Sequence, residues 1–287
     1  MDARAARMAM GRRCVVAAAL LWSMGGVITK LLEHDGLTIA LYRGLFAGLV
    51  LAPTVPRAKW RFRPPLVPFA LIFGAMTAAY IGSVKTTTAA NAIYLQYTSV
   101  FWTVPLSAWF LGERADRRAL IGIGLALVGI VVIVALGYDG RPNEVQGILL
   151  GLASGVGYAA VTVFMRSLRD LDPAWLSVVG NLGGALVLGA WIAASRPVFP
   201  IPSGPQLLLL AAFGTVQMAL SYTLFARGLR EIGAPEAGLI ALLEPLVGPL
   251  WVFLIAHERP TNASIVGGSF LLAGVLCRYW PARRFKS

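Results

Sequence analysis

Apolar runs of membrane-crossing length alternate with short polar breaks along nearly the whole chain. A bilayer crossing needs about 20 residues of helix. The pattern predicts ten such spans: Cys14–Leu32, Leu37–Val55, Leu66–Val84, Ala89–Leu111, Ala119–Gly137, Gln146–Met165, Pro173–Ala194, Gln206–Ala226, Ala237–Ala256 and Ser264–Trp280. Gly and Pro mark the breaks, at Pro53 and Pro56, Pro64-Pro65, Gly140-Arg141-Pro142, Pro197 to Pro205, and Pro260. Lipid offers no partner to an open backbone N–H or C=O, so helices are the expected element. The opening MDARAARMAMGRR followed by an apolar run imitates a secretory signal. The run continues for a full crossing, as expected of a first helix that is kept.

The spans repeat. Asn91–Arg114 laid on Glu236–Arg259, a shift of 145, brings Glu113-Arg114 onto Glu258-Arg259. The same shift brings Lys85 onto Arg230, Tyr80 onto Phe225, Gly122 onto Gly267 and Gly129 onto Gly274. The early spans repeat at a shift of 136, with Trp22 on Tyr158, Lys30 on Arg166, and Gly44-xxx-Gly48 on Gly180-xxx-Gly184. Small residues four apart let helix backbones approach closely in lipid. The unit is therefore five spans, residues 1–142 and 143–287. Because five is odd, the second copy enters the membrane from the opposite side. The expected fold is all-α and integral to the membrane: ten transmembrane helices in two five-helix inverted-topology repeats. Transporters built this way bind substrate at the repeat interface near the bilayer midplane.

Composition agrees and removes other classes. Hydrophobic residues make up 57% and charged residues 13%, against about 25% charged in soluble domains. The net charge of +12 raises nucleic acid as a partner, but the basic residues sit in loops of one parity. Those loops hold Arg4, Arg7, Arg12 and Arg13; Arg57, Lys59, Arg61 and Arg63; Arg114, Arg117 and Arg118; Arg166 and Arg169; Arg227 and Arg230; and Arg278, Arg283, Arg284 and Lys286. The opposite loops hold only Lys85, Arg141, Arg196 and Arg259. The positive-inside rule places both termini in the cytoplasm. No basic stripe on a folded surface, the mark of a nucleic-acid binder, is indicated. Cys14 and Cys277 lie at opposite ends of the chain, and His34 and His257 are too few for a histidine cluster, so neither a disulfide framework nor a metal site is expected. No P-loop motif or HExxH is present, and no cofactor is expected.

The chain resembles the drug/metabolite transporter superfamily, specifically its ten-span EamA-type exporters. The resemblance rests on the 5+5 arrangement, Leu111-Gly112-Glu113-Arg114 ending span 4, Glu244-Pro245 in span 9 with Glu258-Arg259 after it, and Arg43 in span 2. It implies export of amino acids, other metabolites or drugs. The aromatic-rich spans look most like bacterial amino-acid exporters, including the aromatic-amino-acid type. Span 4 departs from the pattern: the family often has proline near Ser99-Val100, whereas here it stands at Pro105.

Glu244 is the most informative residue, a carboxylate in mid-span where an unpaired charge is costly. Two readings are open: a proton-coupling or substrate-amine site, or a neutral or paired glutamate pinning a proline bend. Glu244 maps onto Ser99 by the repeat, with Gln96 and Thr103 on the same helix face. Mid-span aromatics form a second constellation: Trp22, Tyr80, Tyr94, Tyr97, Trp102, Tyr158 and Tyr222. A tyrosine at this depth needs a partner for its hydroxyl, and aromatic faces can hold a cationic amine. Ordinary helix packing is the alternative. Trp60 and Trp280 read as interfacial belt residues. Gln217 and Asn91 read as interhelical hydrogen-bond formers or substrate contacts. Lys30 and Arg43 read as anchors that snorkel outward, and the two Glu-Arg pairs as caps and salt bridges at the ends of spans 4 and 9. The expected substrate-binding set is Trp22, Tyr80, Tyr94, Gln96, Ser99, Trp102, Tyr158, Gln217, Tyr222 and Glu244, on a cavity lined by spans 1, 3, 4, 6, 8 and 9.

The sequence thus reads as a transporter of a bacterial inner membrane, not an enzyme. Its expected partners are a small-molecule substrate, most readily an amino acid, the lipid bilayer, and a second copy meeting spans 5 and 10. A passive metabolite facilitator or channel and a multidrug exporter are the alternatives. A lipid-processing enzyme would need acidic, basic and histidine groups clustered at one interface, whereas the 13 acidic residues are scattered through loops.

Overall fold

The computed structural model describes residues 3–112, 117–136 and 143–279, and among these every regular element is helical. In chain order the helical stretches are α1, Arg4–Leu31; α2, Gly36–Thr54; α3, Leu66–Thr86; α4, in two pieces, Ala89–Tyr97 and Ser99–Leu111; α5, Arg117–Leu136; α6, Glu144–Ser167; α7, Pro173–Ser195; α8, Gly204–Leu229; α9, in two pieces, Ala234–Ala241 and Leu243–Ala256; and α10, Asn262–Tyr279. Among the described residues eight of them are long and apolar enough, by length and composition, to cross a membrane. The two pieces of α4 are each too short to do so alone, and the apolar part of α10 is Asn262–Cys277. The chain is a multi-pass membrane protein.

Most ends fall within a few residues of the sequence expectation. The exception is α1, which starts at Arg4 rather than near Cys14. Its polar first turns lie against the C-terminal end of α8, where Gly11 faces the Gly228 carbonyl and Glu231, and Arg12 Nε meets Glu236 Oε1 at 2.6 Å. Glu113-Arg114, Arg141 and Trp280 lie outside the described residues.

The helices pack in reciprocal pairs. α3 lies on α6 as α1 lies on α8; α4 on α6 as α1 on α9; and α2 on α8 as α3 on α7. α2 meets α7, α4 meets α9, and α5 meets α10. The α5–α10 seam is made of glycines. A Cβ on Gly129 would fall 2.5 Å from the Gly267 carbonyl oxygen, and one on Gly122 would fall 3.1 Å from that of Gly274. Backbones this close gain dispersion contact that a larger residue would prevent. The outer faces of this pair carry exposed Val128, Val131 and Ile265.

Two ends of the bundle are tied differently. At one end, Lys59 Nζ meets Asp172 Oδ2 at 2.5 Å, Arg63 pairs with Asp170, and the rings of Trp60 and Trp175 stack with centroids 5.0 Å apart. The Lys59 ammonium draws the Asp172 carboxyl below its ordinary value, against a smaller opposing effect of burial. At the other end Lys30 Nζ, expected to snorkel outward, instead binds Glu258 Oε2 at 2.7 Å and donates to the Thr87 carbonyl at 3.0 Å. Glu258 Oε1 accepts from the Ala89 amide at 2.7 Å, placing a carboxylate on the N-terminus of α4. Lys85 Nζ donates to the Leu32 carbonyl at 2.6 Å. Asp35 caps α2 through the Leu37 and Thr38 amides and takes both Arg196 nitrogens at 2.8 and 2.9 Å. Burial works to raise the Asp35 carboxyl. The Arg196 guanidinium, with the Thr38 hydroxyl and amide, outweighs it and holds the group well below the usual carboxylate range. Beneath this end Val27, Ala89, Ile93 and Val252 belong to one buried apolar cluster.

Candidate substrate cavity

Regular helix fails at five places, and four of them, in α1, α4, α8 and α9, border one cavity. α1 breaks at Met24, before Gly25-Gly26; α4 breaks at Thr98; α9 breaks at Leu242. α7 and α8 each contain a π-helical stretch, Val179–Gly183 and Phe213–Leu220. In lipid, irregular backbone is tolerated where it is buried in protein or lines a cavity, and π segments recur at functional sites.

Three of these breaks place polar side chains. Pro245 has no N–H and cannot donate to the Ala241 carbonyl one turn back. The Tyr97 hydroxyl occupies that vacancy, 3.2 Å from the Ala241 oxygen, and donates to Glu244 Oε2 at 2.8 Å. Thr98 turns its hydroxyl back to the Leu95 carbonyl at 2.5 Å, so α4 breaks without a proline. In α1 the Trp22 carbonyl at the break accepts from Gln217 Nε2 at 3.0 Å. Gln217 sits in the π stretch of α8, and its Oε1 is buried with no hydrogen-bond partner.

The cavity has a volume of about 290 Å³, near the lower end of small-molecule sites. Its wall includes Trp22, Arg43, Tyr80, Gln96, Tyr97, Ser99, Tyr158, Gln217, Tyr222 and Glu244. Phe73, Met76, Thr77 and Phe225 add apolar and hydroxyl surface. Trp22 packs edge-on to Tyr222 at 5.5 Å and against Phe225 at 5.1 Å. Among the described residues no group of three His, Cys, Asp or Glu is placed to hold a metal ion.

Of the ten expected residues, eight line this cavity; Tyr94 and Trp102 do not. Tyr94 turns to α10 and lays its ring on Gly268, where the missing Cβ leaves room. Beyond the Thr98 break Phe101 points inward against Gly122 and Gly274, and the next side chain, Trp102, turns outward with 37% of its surface exposed. Tyr97 belongs to the wall and was absent from the expected set, although its mid-span position was visible in the sequence. Arg43 is the larger correction. It does not snorkel: it is 6% exposed, lies under the Phe213 ring at 5.2 Å and faces the cavity. A charge two turns into an apolar span was the available signal. α2 and, through Val275, α10 therefore join the lining expected from spans 1, 3, 4, 6, 8 and 9. Asn91 is structural: buried, with Oδ1 accepting from Ser264 Oγ at 2.6 Å and Nδ2 donating to Thr87 Oγ1 at 3.2 Å.

The model of the EamA-like transporter family matches the chain twice, over residues 10–135 and 145–280. The chain belongs to the EamA-like transporter family. As a member of this family, which lies within the drug/metabolite transporter superfamily, it is a membrane transporter. An Archaeoglobus fulgidus protein named an uncharacterized transporter is 29% identical over 94% of this chain and 96% of its own length. An Escherichia coli protein named a probable amino-acid metabolite efflux pump is 24% identical over 92% of this chain and 93% of its own. A crystal structure superimposes with a TM-score of 0.65 at 20% identity, covering 93% of this chain and 96% of its own, and shares the fold.

Proposed function

We propose that this EamA-family transporter exports small amphipathic solutes, amino acids including aromatic ones, across a bacterial inner membrane by alternating access between two inverted repeats, residues 1–142 and 143–287. The observation that carries the proposal is the cavity, in which Glu244, Arg43, Gln217 and Gln96 stand among tyrosine and tryptophan faces. Such a wall suits a solute with polar ends and a flat apolar body. The name of the Escherichia coli relative supports an amino acid as cargo.

The seams support inversion. Gly129 meets Gly267 and Gly122 meets Gly274, whereas the repeat equates Gly122 with Gly267 and Gly129 with Gly274. Such crossed contacts are what a two-fold relation between the halves produces. The positive-inside rule puts the Lys59–Asp172 end in the cytoplasm, with both termini. The cavity reaches toward that end, past Phe225 and Gly238, and is plugged beneath the Lys30–Glu258 end. On this orientation the conformation is closed to the outside and presents its cavity inward, as an exporter does before loading.

Glu244 and its Tyr97 donor give the cavity a carboxylate that a proton or a substrate ammonium can neutralise. Purified protein in liposomes, given labelled aromatic and neutral amino acids with no gradient but the solute's own, is expected to show saturable uptake and counterflow. Linear, non-saturating flux would favour a channel. No amino-acid flux, with or without a pH gradient, would overturn the cargo and move weight to drugs or other metabolites.

A further inference from the structure

Arg43 is a cation without an acid. It is 6% exposed, and its Nε is buried with no hydrogen-bond partner. Among the described residues no carboxylate lies within ion-pair distance of it. The carboxylate sharing its cavity, Glu244, is bound by the Tyr97 hydroxyl. Tyr80 and Tyr222 line the same cavity as Arg43 and Glu244. A buried guanidinium left unpaired is expensive, more so at membrane depth. One held in place at that cost is a site awaiting an anion.

The guanidinium is held. Its central carbon lies over the ring of Phe213, 5.2 Å from the centroid, and Phe213 is fully buried in the π stretch of α8. The backbones of α2 and α8 touch here, since a Cβ on Gly214 would fall 2.6 Å from the Arg43 carbonyl oxygen. A guanidinium held over an aromatic ring can keep its nitrogens free for other partners, and its edge matches a carboxylate in a bidentate fork. Gln217 Oε1 and Thr77 Oγ1, buried and without partners, are further polar atoms available at the same wall.

We propose that Arg43 is the carboxylate receptor of the cavity and that the cargo is a carboxylate-bearing, aromatic or similarly flat small molecule. This rests on the transport reading above. The acid end of the cargo lies at Arg43, its ring lies against Tyr80 and Tyr222, and an amine, where present, lies toward Glu244. The Arg43 reading is narrower than amino-acid export: it requires the carboxylate whether or not an amine is there.

The test uses three probes with one ring: phenylalanine, 3-phenylpropionate, which lacks the amine, and phenethylamine, which lacks the carboxylate. Binding is followed on the full chain in lipid nanodiscs by calorimetry and by the fluorescence of cavity Trp22. The wild type is expected to bind the two carboxylates more tightly than phenethylamine. Arg43→Gln should weaken both carboxylates by about ten- to a hundredfold, the range of a charge-assisted hydrogen bond, with phenethylamine nearly unchanged. Arg43→Lys, keeping charge without the fork, should fall between. If Arg43→Gln does not fold, the wild-type ranking and Arg43→Lys decide. Equal loss of all three probes, unchanged phenylalanine binding, tightest binding of phenethylamine, or no binding of either carboxylate to the wild type overturns the proposal. Binding of 3-phenylpropionate through Arg43 without binding of phenylalanine would keep the receptor and reject amino acids as cargo.

Discussion

α4 and α9 are two copies of one sequence unit, and they have come to do different work. Both are broken in the middle, at Thr98 and at Leu242, one position apart once the repeat shift of 145 is applied. Both end on a left-handed residue at equivalent positions, Gly112 with φ 67° and His257 with φ 54°. Between these shared features the chemistry has diverged. α9 keeps the proline and the carboxylate. α4 has lost the proline, breaks on a threonine, and supplies the hydroxyl, Tyr97, that serves the carbonyl freed in its partner. The backbone plan belongs to the repeat; the site belongs to its asymmetry.

The sharpest way to break the comparison is to make the two segments chemically alike. Glu244→Gln removes the one cavity carboxylate and is expected to abolish proton coupling, seen as transport that no longer responds to an imposed pH gradient. Uphill transport that survives unchanged would reduce Glu244 to a pin for the bend. Tyr97→Phe comes next. It removes the hydroxyl that donates to Glu244 and sits against the Ala241 carbonyl, so substrate affinity or turnover should fall by about 1.5–3 kcal/mol equivalent in binding or flux assays. A smaller effect is expected at the Lys30–Glu258 end, where Glu258, just after α9, holds the N-terminus of α4. Glu258→Gln loses the Lys30 pair and weakens the Ala89 contact, and about 1–3 kcal/mol of the hold between α9 and α4 should go with it. A cysteine placed beneath that end should then label faster with a membrane-impermeant reagent. The smallest effect is at the caps. His257→Gly relieves a side chain in the left-handed region and should raise stability by about 0.5–1 kcal/mol, with Gly112→His costing a similar amount, both read as thermal unfolding in detergent.

Much of this plan is legible in the sequence because the bilayer makes few demands and makes them of every span. Apolar length and the placement of Gly and Pro locate the helices, and internal similarity pairs α4 with α9. What stays hidden is set by contacts between spans. The break at Thr98, where the hydroxyl turns back to the Leu95 carbonyl, is announced by no proline. The π stretches have no local signature in Val179–Gly183 or Phe213–Leu220; their register fits what packs on them, as where the Gly214 position admits the backbone of α2. Tyr94 and Trp102 look as eligible as Tyr97 by depth. Which of them meets the cavity depends on Gly268 and on the inward turn of Phe101. Arg43 near a span end invites snorkelling, but Phe213 beneath it and the close approach of α8 keep it inside.

The glycine seam between α5 and α10 has a consequence for how the molecule is made. α5 is among the elements completed when the first half leaves the ribosome, but the surface it is shaped for arrives only with the last described helix. Until then the first half carries an unfilled groove at Gly122 and Gly129, which the matching groove at Gly267 and Gly274 closes. The half-made protein is therefore a half-site for its own completion. Closing the seam is a late and long-range event in biogenesis.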